Sequence, residues 1–394
     1  MSQDRKEWIK TRMAILRKQA GFSFNQDLFI SILLCLMSER DKHLVLTAPP
    51  ERLTEVSHMA TLISRHLFGF TVAKTVCREK LTKSDIVEAL FNSKEEAEDK
   101  QPKNEASVFS HQPSRSIQTI DSEKSYYSHK LLENENVIYT SPISPVDFNL
   151  RKRERIFKKN RWSEQERLYV PSINSNRIAQ ILVMQNLELC DATTQAFLLE
   201  LMITKELRIS NVKYNMPKPF FLVIAVLPQG YNRLSISSQL MDRFFVSYNF
   251  EQDMFLSSNN TLLRQPSSRR FALVKQEEIK ALADKASKVH VNIDITRYIR
   301  DIVVGIRTHP RIKGGLTARC SKDLVAVTKS LATLFERDFL TPDLVTIAAE
   351  KVFGHRLHVL AVNSRDDQME KEDMDCNIPS DVIAEILRVI YVPV

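Results

Sequence analysis

The sequence predicts an α/β protein: a mostly parallel sheet flanked by helices, followed by an all-helical lid. Three observations carry that reading. Residues 181–184 (ILVM) and 220–226 (FFLVIAV) are apolar runs with no polar alternation, the pattern of strands covered on both faces. Residues 43–48 (HLVLTA) form a shorter run of the same kind. From Lys275 onward the apolar spacing changes to three and four, with Ile295, Tyr298, Ile299, Ile302, Val303 and Ile306 on one helical face. Strand signals stop before residue 255 and helix signals take over after 275.

Length and composition bound the answer. A chain of 394 residues is longer than one usual domain, so two domains or a core with a long insertion are expected. Apolar residues at 43% supply a sizeable core, and a net charge of +8 allows anionic partners without specifying one. The polar start, MSQDRKEWIK, lacks the apolar centre of a signal peptide. The longest apolar run, residues 28–37, is about half of what a bilayer span needs, so no membrane partner is expected. Five cysteines without a CxxC pair suit reduced thiols, hence cytoplasm or nucleus. Only seven glycines occur, and none forms the Gly-rich loop through which backbone N–H groups approach phosphate.

In order, residues 1–21 read as a basic helix with Trp8, Ile9, Met13, Ile15 and Leu16 on one side. Residues 22–255 read as the α/β core. Asn25 is placed to cap a helix over 28–37, and strand 43–48 leads through Pro49 and Pro50 into a helix over 51–66. A strand over 70–77 and a short helix over 83–91 follow. Residues 92–130 turn low in apolar content and rich in Lys, Glu, Ser, Gln and Asn, the composition of an insertion without a core of its own. Residues 134–140 are a strand candidate. Then come Arg151, Lys152, Arg153, Arg155, Lys158, Lys159 and Arg161 against one acid, Glu154. This basic loop suits an import signal or phosphate contacts, or is simply a solvated face. The central strand 181–184 precedes a helix bearing Ala196, Leu199, Leu201 and Met202; a hairpin over 205–214 and strands 220–226 and 246–250 complete the core. The lid, 275–360, holds helices over 324–334 and 342–352 with Ser321 and Thr341 as caps. Residues 361–394 make an acidic loop and a last helix over 380–390.

These segments resemble the AAA+ ATPase group that contains MoxR proteins and the magnesium-chelatase ATPase subunit, over about residues 22–92 and 130–360. The resemblance rests on the central strand and its helix ending LLELM, on LMDRFF at 240–245, and on the lid motifs IRTHPRIKGGLTAR, ERDFLTPDLV and His355-Arg356-Leu357. The lid and the Val-Pro-Val end also resemble fungal homologues, including the maintenance of telomere capping protein two group. The resemblance implies that Arg243 reaches a neighbouring subunit's γ-phosphate and that Arg319 is the arginine that contacts nucleotide. It also implies a phosphate loop after the first strand, an Asp-Glu pair after the central strand and a sensor asparagine. Those positions hold residues 49–54 (PPERLT), Gln185-Asn186, and Leu227 or its neighbours. Amide side chains carry no charge for Mg²⁺ or for base catalysis, although Glu188 could stand in for one acid.

The leading expectation is therefore a pseudo-ATPase with no catalytic residues, acting as a protein-interaction or scaffold subunit in a nuclear or telomere-related process. No cofactor is expected, with ATP and Mg²⁺ retained only in the alternative of an active ATPase with non-standard loops. A further alternative is a nucleic-acid-binding factor using residues 151–161. Partners are expected to be proteins, and an oligomer is compatible with the family. Arg243 and Arg319 could instead serve structurally, through an Asp242–Arg243 pairing or as a helix-end charge. His355 and His358 share a helical face in this reading, but with no carboxylate at ligand spacing no metal site is expected.

Overall fold

The structure, a computed structural model, describes residues 8–38, 42–91, 178–209, 212–250, 272–360 and 378–393. The strand candidate 134–140, the basic cluster 151–161 and the acidic loop 366–375 lie outside these residues.

Five parallel strands form the centre: β1 (His43–Ala48), β2 (Val72–Val76), β3 (Ile181–Gln185), and, after a hairpin of β4 (Glu206–Ile209) and β5 (Val212–Asn215), β6 (Leu222–Pro228) and β7 (Phe244–Asn249). Their order is β2-β3-β6-β1-β7. Val183 pairs with Ile224, Ile224 with Leu44, and Leu44 with Val246. The unalternating runs have the predicted cause. Leu44, Leu46, Ile181, Val183, Leu222, Ile224 and Val226 face one apolar core, and Val45, Leu182, Met184, Val223, Ala225 and Leu227 face another. Both sides of these strands are covered, so the positions at their centres are apolar.

The first face is covered by α1 (Trp8–Gln19), α2 (Gln26–Met37), α3 (Leu53–Leu62) and most of the lid; the second by α4 (Lys83–Phe91), α5 (Ala192–Thr204) and α6 (Ser238–Met241). Asn25 caps α2 as its position predicts, its side-chain oxygen accepting the Leu28 N–H at 2.8 Å. Ile9, Met13 and Leu16 of α1 are buried, but Ile15 points outward, one position off the buried stripe. The helix expected over 51–66 is divided: a tight turn, Pro50–Arg52, precedes α3, and a π-helical turn, Ile63–Leu67, follows it.

The lid contains α7 (Gln276–Ser287), α8 (Ile293–Thr308), α9 (Ala318–Leu334), α10 (Pro342–Phe353) and α11 (Ile378–Val389). It also holds a two-stranded ribbon of β8 (Ile312–Gly314) and β9 (His358–Val359), segments too short for periodicity to detect. The cap of α9 is Thr317, which accepts the Arg319 N–H, and not Ser321, which lies inside the helix. Thr341 stands at the α10 cap position without capping; its hydroxyl accepts from Arg337 instead. Val382, Ile383 and Ile386 of α11 join the lid core. One glycine here is required by space: a Cβ on Gly315, at φ +113°, would lie 2.0 Å from the Arg356 carbonyl oxygen.

Candidate functional site

In an open parallel sheet the place to look for a ligand is the crevice at the carboxyl ends of the strands, where successive connections leave in opposite directions. Here that is the β1–β6 junction, since β1 connects toward β2 and β6 toward β7. The connection leaving β1 is short. Ala48 is followed by Pro49, the turn Pro50–Arg52, and α3 at Leu53, with no loop between strand and helix. Pro49 and Pro50 have no N–H, and the Arg52 N–H is already bonded to Pro49 O at 2.9 Å. The Arg52 guanidinium pairs with Glu55 at 2.9 Å. No lysine occurs between residues 49 and 73.

At the ends of β1, β6 and β7 the polar groups are bonded to one another. Gln229 donates its backbone N–H to Ala48 O at 2.8 Å, and its side-chain amide donates to Asn249 Oδ1 at 2.9 Å and to Phe250 O at 2.6 Å. The Thr47 hydroxyl donates to the same Asn249 Oδ1 at 2.9 Å. The ends of β1, β6 and β7 are thus tied by three polar side chains in the crevice where an anion would need free donors.

Beyond β3 the chain turns through Asn186 in the left-handed region, φ 60°, with its N–H bonded to Val226 O at 2.8 Å. Gln185 Oε1, Asn186 Oδ1, Glu188 Oε2 and the Tyr231 hydroxyl are buried atoms without a hydrogen-bond partner among the described residues. Burial pushes the Glu188 carboxyl above the usual carboxylate range, so Glu188 is poorly suited to hold the negative charge lost at 185 and 186. Burial raises the Tyr231 phenol as well. ATP and Mg²⁺ therefore do not fit this edge: among the described residues it offers no phosphate cradle, no lysine, and neutral oxygens where a hard cation calls for carboxylates.

Arg243 and Arg319 lie elsewhere. Arg243 immediately precedes β7, at the amino edge of the sheet, roughly 20 Å of strand away from the crevice. The Arg319 Nε lies 3.3 Å from Asp242 Oδ2, and the Thr317 hydroxyl donates to Asp242 Oδ1 at 2.6 Å. Asp242 is thus engaged by the lid.

Close by lies a network that the sequence reading missed. Asp323 and Arg356, both essentially inaccessible to solvent, pair at 2.7 Å, and Lys42 Nζ reaches the other Asp323 oxygen at 2.5 Å. Arg356 also donates to Phe244 O at 2.5 Å, and His355 Nε2 bonds the same carbonyl at 3.0 Å. From the opposite side, Arg233 donates to Gly354 O at 3.1 Å and Leu357 O at 2.5 Å. The end of α10 is therefore fastened to the start of β7. Burial and the neighbouring Arg356 hold His355 well below the usual histidine range, so it is neutral. His355 and His358 do not share a helical face, because α10 ends at Phe353 and His358 lies on β9. Among the described residues no group of three metal-ligating side chains occurs, and no helix is long and apolar enough to cross a membrane.

A candidate ATPase from Cytophaga hutchinsonii, known from a crystal structure, superposes with a TM-score of 0.56 at 14% identity, over 98% of this chain and 96% of that one. The fold is AAA+. At that identity the likeness concerns the fold alone. No protein-family profile matches the chain. Among curated proteins, YeaC of Bacillus subtilis, described as uncharacterised, is 24% identical over 223 residues, 54% of this chain and 67% of that protein. The maintenance of telomere capping protein 2 of Lachancea thermotolerans is 25% identical over 185 residues, and that of Kluyveromyces lactis 32% over 82 residues. The chain spans 57% and 30% of the lengths of those two relatives. The AAA+-like architecture is thus present.

Proposed function

We propose that this chain is an AAA+-fold protein without ATP turnover that works as a protein-binding subunit. The observation that carries the reading is the β1–α3 junction, where Pro49 and Pro50 take the place of a phosphate loop and the helix follows the strand directly. Mutual bonding of Thr47, Gln229 and Asn249 and the neutral Gln185-Asn186 pair support it from three further strands. A nuclear assembly concerned with chromosome ends is the process favoured, on the names of the two yeast relatives. Equilibrium binding of labelled ATP to the purified chain, with and without Mg²⁺, tests the reading. No saturation is expected up to about 1 mM, where binding free energy is only about −4 kcal/mol. Saturable micromolar binding, or turnover that Gln185→Ala abolishes, would overturn it.

A further inference from the structure

A cavity of about 590 Å³ opens at the amino edge of the sheet, and it has the size of a small-molecule site. Its walls are the last turn of α2, the entry to β6 and one side of α7. Much of this lining is apolar. Leu36 and Met37 end α2, Phe220 and Phe221 lead into β6, and Ala283 adds a small side chain from α7. Both phenylalanines are only half-buried.

Two polar side chains of the lining have hydrogen-bonding capacity to spare. The Ser38 hydroxyl is buried and has no partner. Lys42 Nζ makes one hydrogen bond among the described residues, to Asp323 Oδ1 at 2.5 Å, and otherwise rests 4.6 Å from the centre of the Phe245 ring. An ammonium carries three N–H donors, so two remain unfilled. The charge is unbalanced in the same sense. Lys42 and Arg356 share the single carboxylate of Asp323, which leaves these three residues with an excess positive charge. An uncompensated charge away from water is costly, so an anion at the Lys42 end of the cavity is stabilising.

We propose that this cavity binds an apolar monocarboxylate of the fatty-acid kind, its carboxylate on Lys42 and Ser38 and its hydrocarbon along Met37, Phe220 and Phe221. Both polar groups can donate and a carboxylate only accepts, so the match is one of hydrogen-bond sense as well as of charge. Glu277 and Asp284, exposed on the α7 wall, repel a second negative charge, and Lys280 between them offsets only one. Phosphates and dicarboxylates are therefore disfavoured. The cavity lies a strand's length from the crevice at the other edge of the sheet, so the site stands whether or not the crevice binds ATP.

The test is isothermal titration calorimetry of the full chain with decanoate, using decanol and decylamine as neutral and cationic controls. One decanoate per chain is expected, bound about tenfold more tightly than decanol, the worth of a hydrogen bond to a charged group. Lys42→Met should bring decanoate down to the decanol level, and Ser38→Ala should weaken decanoate about fivefold while sparing decanol. Ala283→Trp fills the cavity from α7 without altering a charge, so it should abolish binding of both. It keeps the test decisive if Lys42→Met fails to fold. No saturable decanoate binding, equal affinity for decanol, or decanoate binding unchanged in Ala283→Trp would each overturn the proposal. Tighter binding of decylamine would do the same, since the α7 carboxylates and not Lys42 would then select the ligand.

Discussion

Asp323→Asn should weaken the attachment of the lid more than any surface change, and the magnitude follows from the geometry. Asp323 is buried between two cations, Lys42 at 2.5 Å and Arg356 at 2.7 Å. Arg356 Nε and Nη1 are buried without partners among the described residues, so its bonding is concentrated on Nη2. Removing the carboxylate charge leaves two cations facing each other in a site from which water is excluded. Breaking a buried pair from one side costs about 3–5 kcal/mol, against at most about 1 kcal/mol for an exposed pair such as Arg297–Asp294. With a urea slope of about 3 kcal/mol/M, the midpoint should fall by roughly 1–1.7 M. The assay is urea unfolding followed by far-UV circular dichroism, with hydrogen exchange on α9 and α10 to locate the loss. Asp323→Leu combined with Arg356→Met should recover part of it, because the two fully buried charges go together and the partly exposed Lys42 can turn to solvent. A midpoint shift under about 0.3 M for Asp323→Asn, or exchange that rises in α4 and α5 but not in α9 and α10, would refute the reasoning.

Two further outcomes follow from buried histidines and from the basic cluster of the sequence. His43 is fully buried, accepts the Val223 N–H on Nδ1 at 3.0 Å, and has its pKa lowered to about 3, chiefly by burial, while His355 is lowered in the same direction. Below the unfolded value of about 6.5 the unfolded chain binds these protons and the folded chain does not. Stability should therefore be fully present above pH 6.5 and fall by about 1.4 kcal/mol per pH unit for each histidine as acid is added. A urea midpoint that stays level between pH 6.5 and 5 would contradict this. Changing Arg151, Lys152, Arg153 and Arg155 to Ala should lower the nuclear fraction of the protein in cells while its circular dichroism is unchanged. Unaltered localisation, with nucleic-acid binding both unaltered and insensitive to salt, would leave the cluster a solvated segment.

The sheet was legible because a strand covered on both faces leaves a direct trace: residues 181–184 and 220–226 contain no polar position to place on a solvent side. The altered crevice was legible for a different reason. Phosphate and Mg²⁺ chemistry depends on residue identity at fixed offsets from β1 and β3, and Pro49, Pro50, Gln185 and Asn186 can be read there without coordinates. What only the tertiary structure decided is which distant groups meet. Asp323 looks like a solvent-side residue of α9, yet it is buried because Lys42, 281 positions earlier, and Arg356, on the far side of α10, converge on it. Asp242 and Arg319 are joined by the docking of the lid, and residues 72–76 and 181–185 by the β2–β3 register across the whole insertion. Periodicity and motif spacing report on neighbours within a few turns of helix or one strand. Ion pairs between elements depend on how those elements pack, and a single chain's local pattern carries no record of that.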